Sequence, residues 1–159
     1  MGKYEYSVSV VNLITAILFI AAIVFIVFYK LFAVEAQVKA LEVSQQVGKW
    51  NRLSVTYAIE NEKLGSFKEI GYIPFGKVAP DGESSQSKYF NYNSDLANGK
   101  GRFLAINRVK LDKCSKYEGE WFAYMNPEQI VGNAVPEPPI SKCAILTPDF
   151  ELLKSGAFY

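Results

Sequence analysis

The uncharged run near the N-terminus constrains this chain more than any other feature. From Tyr6 to Tyr29 no charged side chain interrupts the sequence, and Lys30 ends the run. A helix needs roughly 20 apolar residues to cross a hydrocarbon core of about 30 Å, so this segment is long enough to span a membrane. A secretory signal peptide has an apolar region of only about 7–15 residues, followed by a small-residue cleavage site. We therefore predict a retained apolar transmembrane helix over residues 1–30.

The helix is predicted to continue beyond the apolar run. Residues 31–63 contain no proline and one glycine, and residues of similar polarity recur at helical spacing. One apolar stripe contains Val34, Val38 and Leu41, a second contains Val43, Val47, Trp50 and Tyr57, and a polar stripe contains Glu35, Lys39, Glu42, Gln46, Lys49 and Arg52. This pattern predicts an amphipathic continuation over residues 31–64 that is closed by Gly65, with Trp50 and Tyr57 packed under a sheet.

The remaining residues, 65–159, are predicted to form a β-rich head of short strands and turns. The strand candidates are residues 70–73, 89–92, 102–111, 121–125 and 142–147, and Asn98-Gly99 is a hairpin signal. Residues 76–88 are polar, and residues 126–141 contain four prolines, so both segments are predicted to be loops. The predicted fold class is α+β, with a long N-terminal helix packed on a small antiparallel sheet of about four strands.

Two cysteines, Cys114 and Cys143, stand in the C-terminal third of the chain. They are too few for a zinc or iron–sulfur site, which typically needs about four ligands. They suit one disulfide in an oxidising compartment, and the alternative is two buried thiols in a reducing one. Lysines flank the apolar run on both sides, so their count leaves its orientation open. A disulfide would place the head outside the cell membrane and the N-terminus in the cytoplasm.

The sequence offers little catalytic chemistry. It contains no histidine, which is the commonest general base, and none of the phosphate-binding, nucleophile-elbow or zinc-protease motifs. The acids of the head stand in polar or turn-like stretches typical of surface charge; they include Asp112, Glu118, Glu120, Asp149 and Glu151. The net charge is +1 without a lysine or arginine cluster along the chain, so no nucleic-acid partner is indicated. We expect no catalytic residue, no cofactor and no metal.

Three features together resemble bacterial type IV pilins and pilin-like proteins. Glu5 stands just before the apolar run, that run leads into an amphipathic helical half, and LGSFKEIGYIPFGK (Leu64 to Lys77) is followed by KYFNY. The Cys114–Cys143 pair resembles the C-terminal disulfide loop of the family. The chain departs from the family at Gly2 and Lys3, and its apolar half lacks the glycine and proline that many pilins carry there. We therefore predict a continuous helix from Val10 to Phe25.

The resemblance implies a mature form whose leader peptide has been removed, so that Met1 is the exposed N-terminal residue. Glu5 then falls where mature pilins carry their glutamate, and it would pair with the α-amine of Met1 on the same or a neighbouring subunit. The alternative is an interfacial acid that only complements the helix N-terminus. The implied function is a structural subunit of an extracellular type IV pilus-like filament. Its partners would be copies of itself, the inner membrane before assembly, the prepilin peptidase and the pilus assembly machinery.

Two other functions stay open at this point. One is a pseudopilin of a secretion system, and the other is a single-span membrane-anchored binding protein that does not polymerise. Within the head, the disulfide loop is equally compatible with surface adhesion and with a passive structural role. In the apolar half, Ser7, Ser9, Asn12 and Thr15 are expected either to bond between helices or to bond to their own backbone.

Overall fold

The computed structural model describes residues 10–96, 101–125, 135–139 and 142–155, and contacts divide the chain into two compact units, residues 1–35 and 36–159. One helix, α1, runs from Val10 to Asn61. The predicted continuity from Val10 to Phe25 is confirmed. The helix ends at Asn61, three residues before the predicted end at residue 64, because Glu62 adopts a left-handed backbone with φ 53°. The amide of Glu62 still donates to the carbonyl of Ala58 at 2.9 Å and closes the last turn.

A six-stranded antiparallel sheet follows the helix, and its strands neighbour one another in chain order. The strands are β1 (Lys77–Val78), β2 (Ser84–Gln86), β3 (Phe90–Asp95), β4 (Gly101–Asn107), β5 (Glu120–Met125) and β6 (Val135–Glu137). Residues Lys142–Leu146 and Phe150–Ser155 form 3₁₀ helices. The α+β class is confirmed, whereas the sheet has six strands rather than about four.

Two strand predictions are confirmed and a third is confirmed in part. The segments 89–92 and 121–125 correspond to β3 and β5, and the segment 102–111 is a strand only as far as Asn107. Strands β3 and β4 pair antiparallel from Phe90 opposite Asn107 to Asp95 opposite Arg102, as a hairpin requires. The turn residues Asn98 and Gly99 lie outside the part of the chain that the structure describes.

Two strand predictions are wrong. Ile70 and Gly71 lie within a turn in which the amide of Tyr72 donates to the carbonyl of Phe67, and Gly71 has φ 68°, which no extended strand allows. Residues Lys142–Leu146 form a 3₁₀ helix because their buried side chains, Cys143 and Leu146, stand three positions apart. That spacing matches three residues per turn and does not match the alternation of a strand.

Both predicted loops contain short strands, and the outermost strands β1 and β6 are among them. Residues 76–88 hold β1 and β2, and the turn between helix and sheet depends on Gly76, whose φ is 99°. A Cβ at Gly76 would collide with the carbonyl of Gln86, so only glycine fits there. Strand β6 contains Pro136, which is tolerated because β6 pairs only with β5 and lies at the edge of the sheet.

The core of the second unit lies between the sheet and one face of α1. The buried residues of that helical face are Ala36, Ala40, Val43, Gln46, Val47, Trp50, Ser54 and Ala58. Trp50 contacts the ring of Phe103 at 5.8 Å between centroids, and Phe67 and Tyr72 pack around the same phenylalanine. The prediction that Trp50 packs under the sheet is confirmed, whereas Tyr57 is only half-buried.

Only one of the two apolar stripes faces the sheet. Val38 and Leu41, from the first stripe, are 61% and 52% exposed, while Val43 and Val47 from the second are buried. Gln46 was assigned to the polar stripe, apart from the apolar ones, but it lies on the buried face of α1. Its side chain is buried, and its Oε1 accepts a hydrogen bond of 2.7 Å from the Tyr72 hydroxyl. The face of α1 that packs on the sheet therefore includes the amide side chain of Gln46.

The two faces of α1 predict opposite effects of truncation. Trp50→Ala should reduce the free energy of unfolding of the head by about 3–5 kcal/mol, because it removes a large buried side chain and leaves a cavity. Leu41→Ala, a control on the exposed face, should change it by less than about 0.5 kcal/mol. Urea unfolding of the detergent-solubilised chain, followed by circular dichroism, measures both. Equal destabilisation by the two variants would contradict the assigned helix face.

Candidate functional site

The apolar half of α1 presents its side chains to the surroundings rather than to a core. No side chain from Val10 to Glu35 is buried, and Phe25 is 75% exposed. By length and composition this part of the helix is long and apolar enough to cross a membrane. It could therefore serve as a membrane anchor or a signal sequence.

Polar groups within the apolar half differ in their hydrogen bonding. The Thr15 hydroxyl donates to the carbonyl of Val11 at 2.8 Å, which is the bond to its own backbone that was one of the two alternatives. Asn12 is exposed and forms no hydrogen bond within the described residues, so its amide remains a candidate for contacts between helices. Ser7 and Ser9 lie outside the described residues.

The predicted assembly residues, Met1 and Glu5, also lie outside the described residues. Their pairing stays a prediction that rests on the sequence. The structure begins at Val10, within the helix that follows them.

A disulfide joins Cys114 to Cys143, as predicted. Cys114 follows β4, in a turn where the amides of Leu111 and Cys114 each donate to the other residue's carbonyl at 2.9 Å. Cys143 belongs to the 3₁₀ helix Lys142–Leu146, and both cysteines are fully buried. The bond therefore ties the turn that follows the fourth strand to the 3₁₀ helix Lys142–Leu146.

Asn107 organises the turn that carries Cys114. Its Nδ2 donates to the carbonyls of Val109 at 2.8 Å and Ser115 at 2.7 Å, and its Oδ1 accepts from the amide of Gly119 at 2.8 Å. The side chain is fully buried, so these bonds satisfy both amide protons and the oxygen away from water. In the sequence Asn107 is a lone polar residue between apolar residues of one strand face, and this position is the signal by which its role could have been found.

The segment closed by the disulfide has more core than expected. Residues 126–141 of this segment were predicted to be a loop, but they contain β6, and the predicted strand at residues 121–125 is β5. Trp121 and Ala123 of β5 are fully buried, and the Trp121 indole donates to the Thr147 hydroxyl at 2.8 Å. The disulfide therefore encloses part of the sheet, and residues 126–134 and 140–141 of the same segment lie outside the described residues.

Glu118 has a local structural role. Its Oε2 accepts from the amide of Ser115 at 2.7 Å, and its Oε1 lies 3.9 Å from the Lys142 ammonium. The Ser115 bond, with a smaller contribution from Lys142, holds the pKa of Glu118 below its ordinary value. This interaction therefore stabilises the turn fully when the pH is above the ordinary pKa of a glutamate. The stabilisation is lost as the pH falls through the lowered pKa of Glu118.

Two buried phenols reinforce the interface between the helix and the sheet. Burial raises the pKa of both Tyr72 and Tyr92, so each stays protonated and can donate a hydrogen bond. Tyr72 donates to Gln46, and Tyr92 donates to the carboxylate of Glu42 at 2.7 Å. Both acceptors belong to α1, so the phenols connect that helix to the head.

Within the described ranges, no group of three histidine, cysteine, aspartate or glutamate side chains is arranged to hold a metal ion. Of the five acids named from the sequence, Glu118 caps the turn at Ser115, and Asp112 adopts a left-handed backbone in the neighbouring turn. Both acids therefore lie in the turns around Cys114 of the disulfide.

Comparisons with known proteins found no relative: no family model matches the sequence, and no curated protein or solved structure matches it significantly.

The disulfide predicts a measurable contribution to stability. Cys114→Ser combined with Cys143→Ser should lower the free energy of unfolding by about 3–4 kcal/mol in the chain-entropy model, because the unfolded chain gains freedom over this loop length. Urea unfolding of the detergent-solubilised double variant, compared with the oxidised parent, measures the loss. The single variant Ser115→Ala keeps the disulfide and should stay near the parent. A double variant as stable as the parent would contradict the prediction.

Proposed function

We propose that this chain is a structural subunit that polymerises through its N-terminal helix into an extracellular type IV pilus-like filament. Before assembly the apolar half of α1 would lie in the inner membrane, with the head in the periplasm. After assembly the same apolar surface would pack against other copies, and burial of that surface would supply most of the cohesion.

One observation carries the proposal. A single helix, Val10–Asn61, has one half that is apolar on all sides and exposed, and another half that packs on the sheet of the head through one face. An exposed apolar surface of this extent needs lipid or other apolar helices around it. Because the same helix also forms part of the head, packing of the apolar halves in a filament core would hold each head in the filament.

The disulfide supports the extracellular part of the proposal. Disulfides persist in oxidising compartments, which include the periplasm and the cell surface. The Cys114–Cys143 bond therefore favours a head that leaves the cytoplasm. The prepilin peptidase and the assembly machinery belong to the proposal as the partners that the resemblance implies.

Glu5 is the residue through which we expect subunits to be recruited. A carboxylate enclosed among apolar helices is costly unless it is paired, and the α-amine of Met1 is the natural partner. The pairing would set the axial register of a new subunit relative to its neighbour.

The first test is a mass spectrum of the N-terminal peptide from native material. An N-methylated Met1 on a chain encoded with an upstream leader would support pilin-type processing. An unmodified or formylated initiator Met1, with no leader in the gene, would favour the anchored single-span protein. Electron microscopy of cells then separates a pilin from a pseudopilin, because only the pilin should give long filaments.

Glu5→Ala should lower filament yield at least about tenfold, which corresponds to a loss of about 1.4 kcal/mol or more in subunit addition. The head should unfold at the parent's temperature, because the substitution is far from Trp50 and the sheet in sequence. Glu60→Ala removes the same charge from an exposed position of α1 and serves as the matched control. Sheared-filament yield and thermal unfolding measure the two effects, and a normal yield for Glu5→Ala would exclude the recruiting role.

A further inference from the structure

The connections between the strands of the sheet lie at two opposite ends of the head. Each strand pairs antiparallel with the next strand in the chain, so successive connections alternate between the two ends. Residues 87–89 and 108–119 therefore lie at one end, together with the start of β1, and residues 79–83 lie at the other. The head thus has two separate loop surfaces, which differ in charge.

The end that contains residues 87–89 and 108–119 is basic. Lys142 belongs to it, because the disulfide holds the next residue, Cys143, against Cys114. We define the basic end by its described charged residues, which are seven cations and three acids: Lys77, Lys88, Arg108, Lys110, Lys113, Lys116 and Lys142, with Asp112, Glu118 and Glu120. These residues give an excess of four positive charges, and every cation except Arg108 is exposed.

The opposite end is acidic. The turn at residues 62–69 belongs to it, because the Ser66 hydroxyl donates to the Glu83 carboxylate at 2.6 Å. We define the acidic end by its described charged residues, which are five acids and three cations: Glu62, Glu69, Asp81, Glu83 and Asp95, with Lys63, Lys68 and Arg102. The excess is two negative charges. Residues 97–100 and 126–134, outside the described residues, contain one lysine and one glutamate, so their sequence leaves this balance unchanged.

The cations of the acidic end are largely occupied. Two of the three, Lys63 and Arg102, form ion pairs with acids of the same end, at 3.3 Å and 3.7 Å. Glu62 and Asp81 are exposed, and neither forms an ion pair within the part of the chain that the structure describes. The acidic end therefore presents carboxylates that its own cations do not pair.

The two ends cannot neutralise each other within one head. Strand β4 runs from one end to the other in seven residues, which span about 20 Å at roughly 3.4 Å per residue. The screening length at physiological salt is only about 8 Å. Opposite charges on two separate copies can approach to contact distance, which the two ends of one head cannot do.

The basic end also contains an exposed aromatic ring. Tyr117 is 54% exposed and has φ 63°, a backbone conformation that is uncommon for a residue with a large side chain. Its amide donates to the carbonyl of Asn107 at 2.9 Å, and the Lys116 ammonium lies 4.7 Å from its ring centroid. Tyrosine is enriched at protein interfaces. The basic end therefore combines positive charge with an apolar surface suited to a protein partner.

We propose that the basic end of one head binds the acidic end of the head of a second copy. Two different surfaces meet in this contact, so each bound pair keeps one free end of each kind and can add further copies. Opposite charges across the contact select this orientation and disfavour contacts between like ends. The inference rests on the proposed function and deepens it, because it adds a contact between heads to the packing of the apolar helices.

The test measures self-association of the full chain in uncharged dodecyl maltoside micelles by sedimentation velocity, at low salt and at about 0.5 M salt. The basic-end variant combines Lys110→Glu, Lys113→Glu and Lys116→Glu. The acidic-end variant combines Glu62→Lys and Asp81→Lys. All five positions are exposed, and thermal unfolding of each variant checks that the head stays folded.

A matched control reverses charges elsewhere on the head. Asp149→Lys with Glu151→Lys replaces two exposed acids that are outside the residues defining either end. This control changes the net charge of the chain as much as the acidic-end variant does. It should associate like the parent, because both ends keep their charges.

We expect the parent to associate at low salt and at least about tenfold more weakly at high salt. Each variant alone should also associate at least about tenfold more weakly than the parent at low salt, because both of its ends then carry charge of the same sign. An equimolar mixture of the two variants should associate like the parent, since one has two acidic ends and the other has two basic ends.

Several outcomes would overturn the head-to-tail contact. They are a parent that does not associate, a control weakened as much as the acidic-end variant, and a mixture that associates no better than either variant alone. Association that stops at a dimer would also overturn it, because a head-to-tail pair keeps two free ends. Association that neither salt nor the variants change would assign the contact to the apolar helices instead.

Filament yield from cells is measured separately and distinguishes this inference from the proposed function. Normal filaments from a parent whose heads do not associate would reject the contact between heads and leave the filament proposal intact. Salt-sensitive association of heads in a chain that never forms filaments would support the contact between heads and reject the filament proposal.

Discussion

The packing of one face of α1 on the sheet is the interaction on which the head depends. Small residues, Ala36 and Ala40, stand at the start of that face, and Trp50 stands farther along it against Phe103. The small side chains permit a close approach of helix and sheet, and the large ring fills the wider space beyond. Two phenols on the head side, Tyr72 and Tyr92, donate hydrogen bonds back to this helix. Apolar packing and a few polar contacts therefore fix the same orientation of helix on sheet.

Some buried polar atoms at this interface lack a hydrogen-bond partner. Three polar atoms on the buried face, Gln46 Nε2, Trp50 Nε1 and Ser54 Oγ, have no partner within the described residues. They stand four residues apart, so they form one row along the helix. An unsatisfied buried donor costs about 1–3 kcal/mol, and the surrounding aromatic contacts must offset that cost.

Sequence periodicity was sufficient to predict the helix, the α+β class and the strands around Tyr92 and Trp121, because each of these elements has a strong local pattern. It failed where tertiary contacts override that pattern. The sequence places Gln46 among polar residues, but Tyr72 supplies a hydrogen-bond partner that lets it be buried. The sequence also predicts a strand at Cys143, but the disulfide and the burial of Leu146 favour a 3₁₀ helix there. The cysteine pair could be predicted because two cysteines allow only one bond.

The disulfide has a mechanical consequence for a chain that is pulled by its helix. Cys114 and Cys143 are 29 positions apart, and the segment between them includes the fifth strand. Tension that reaches Cys114 passes across the sulfur–sulfur bond to Cys143 and bypasses everything between. About 100 Å of extended chain, at roughly 3.4 Å per residue, is thereby withheld from stretching. A head that unfolds under tension can therefore extend only through the residues outside this loop, and the disulfide limits its maximum extended length.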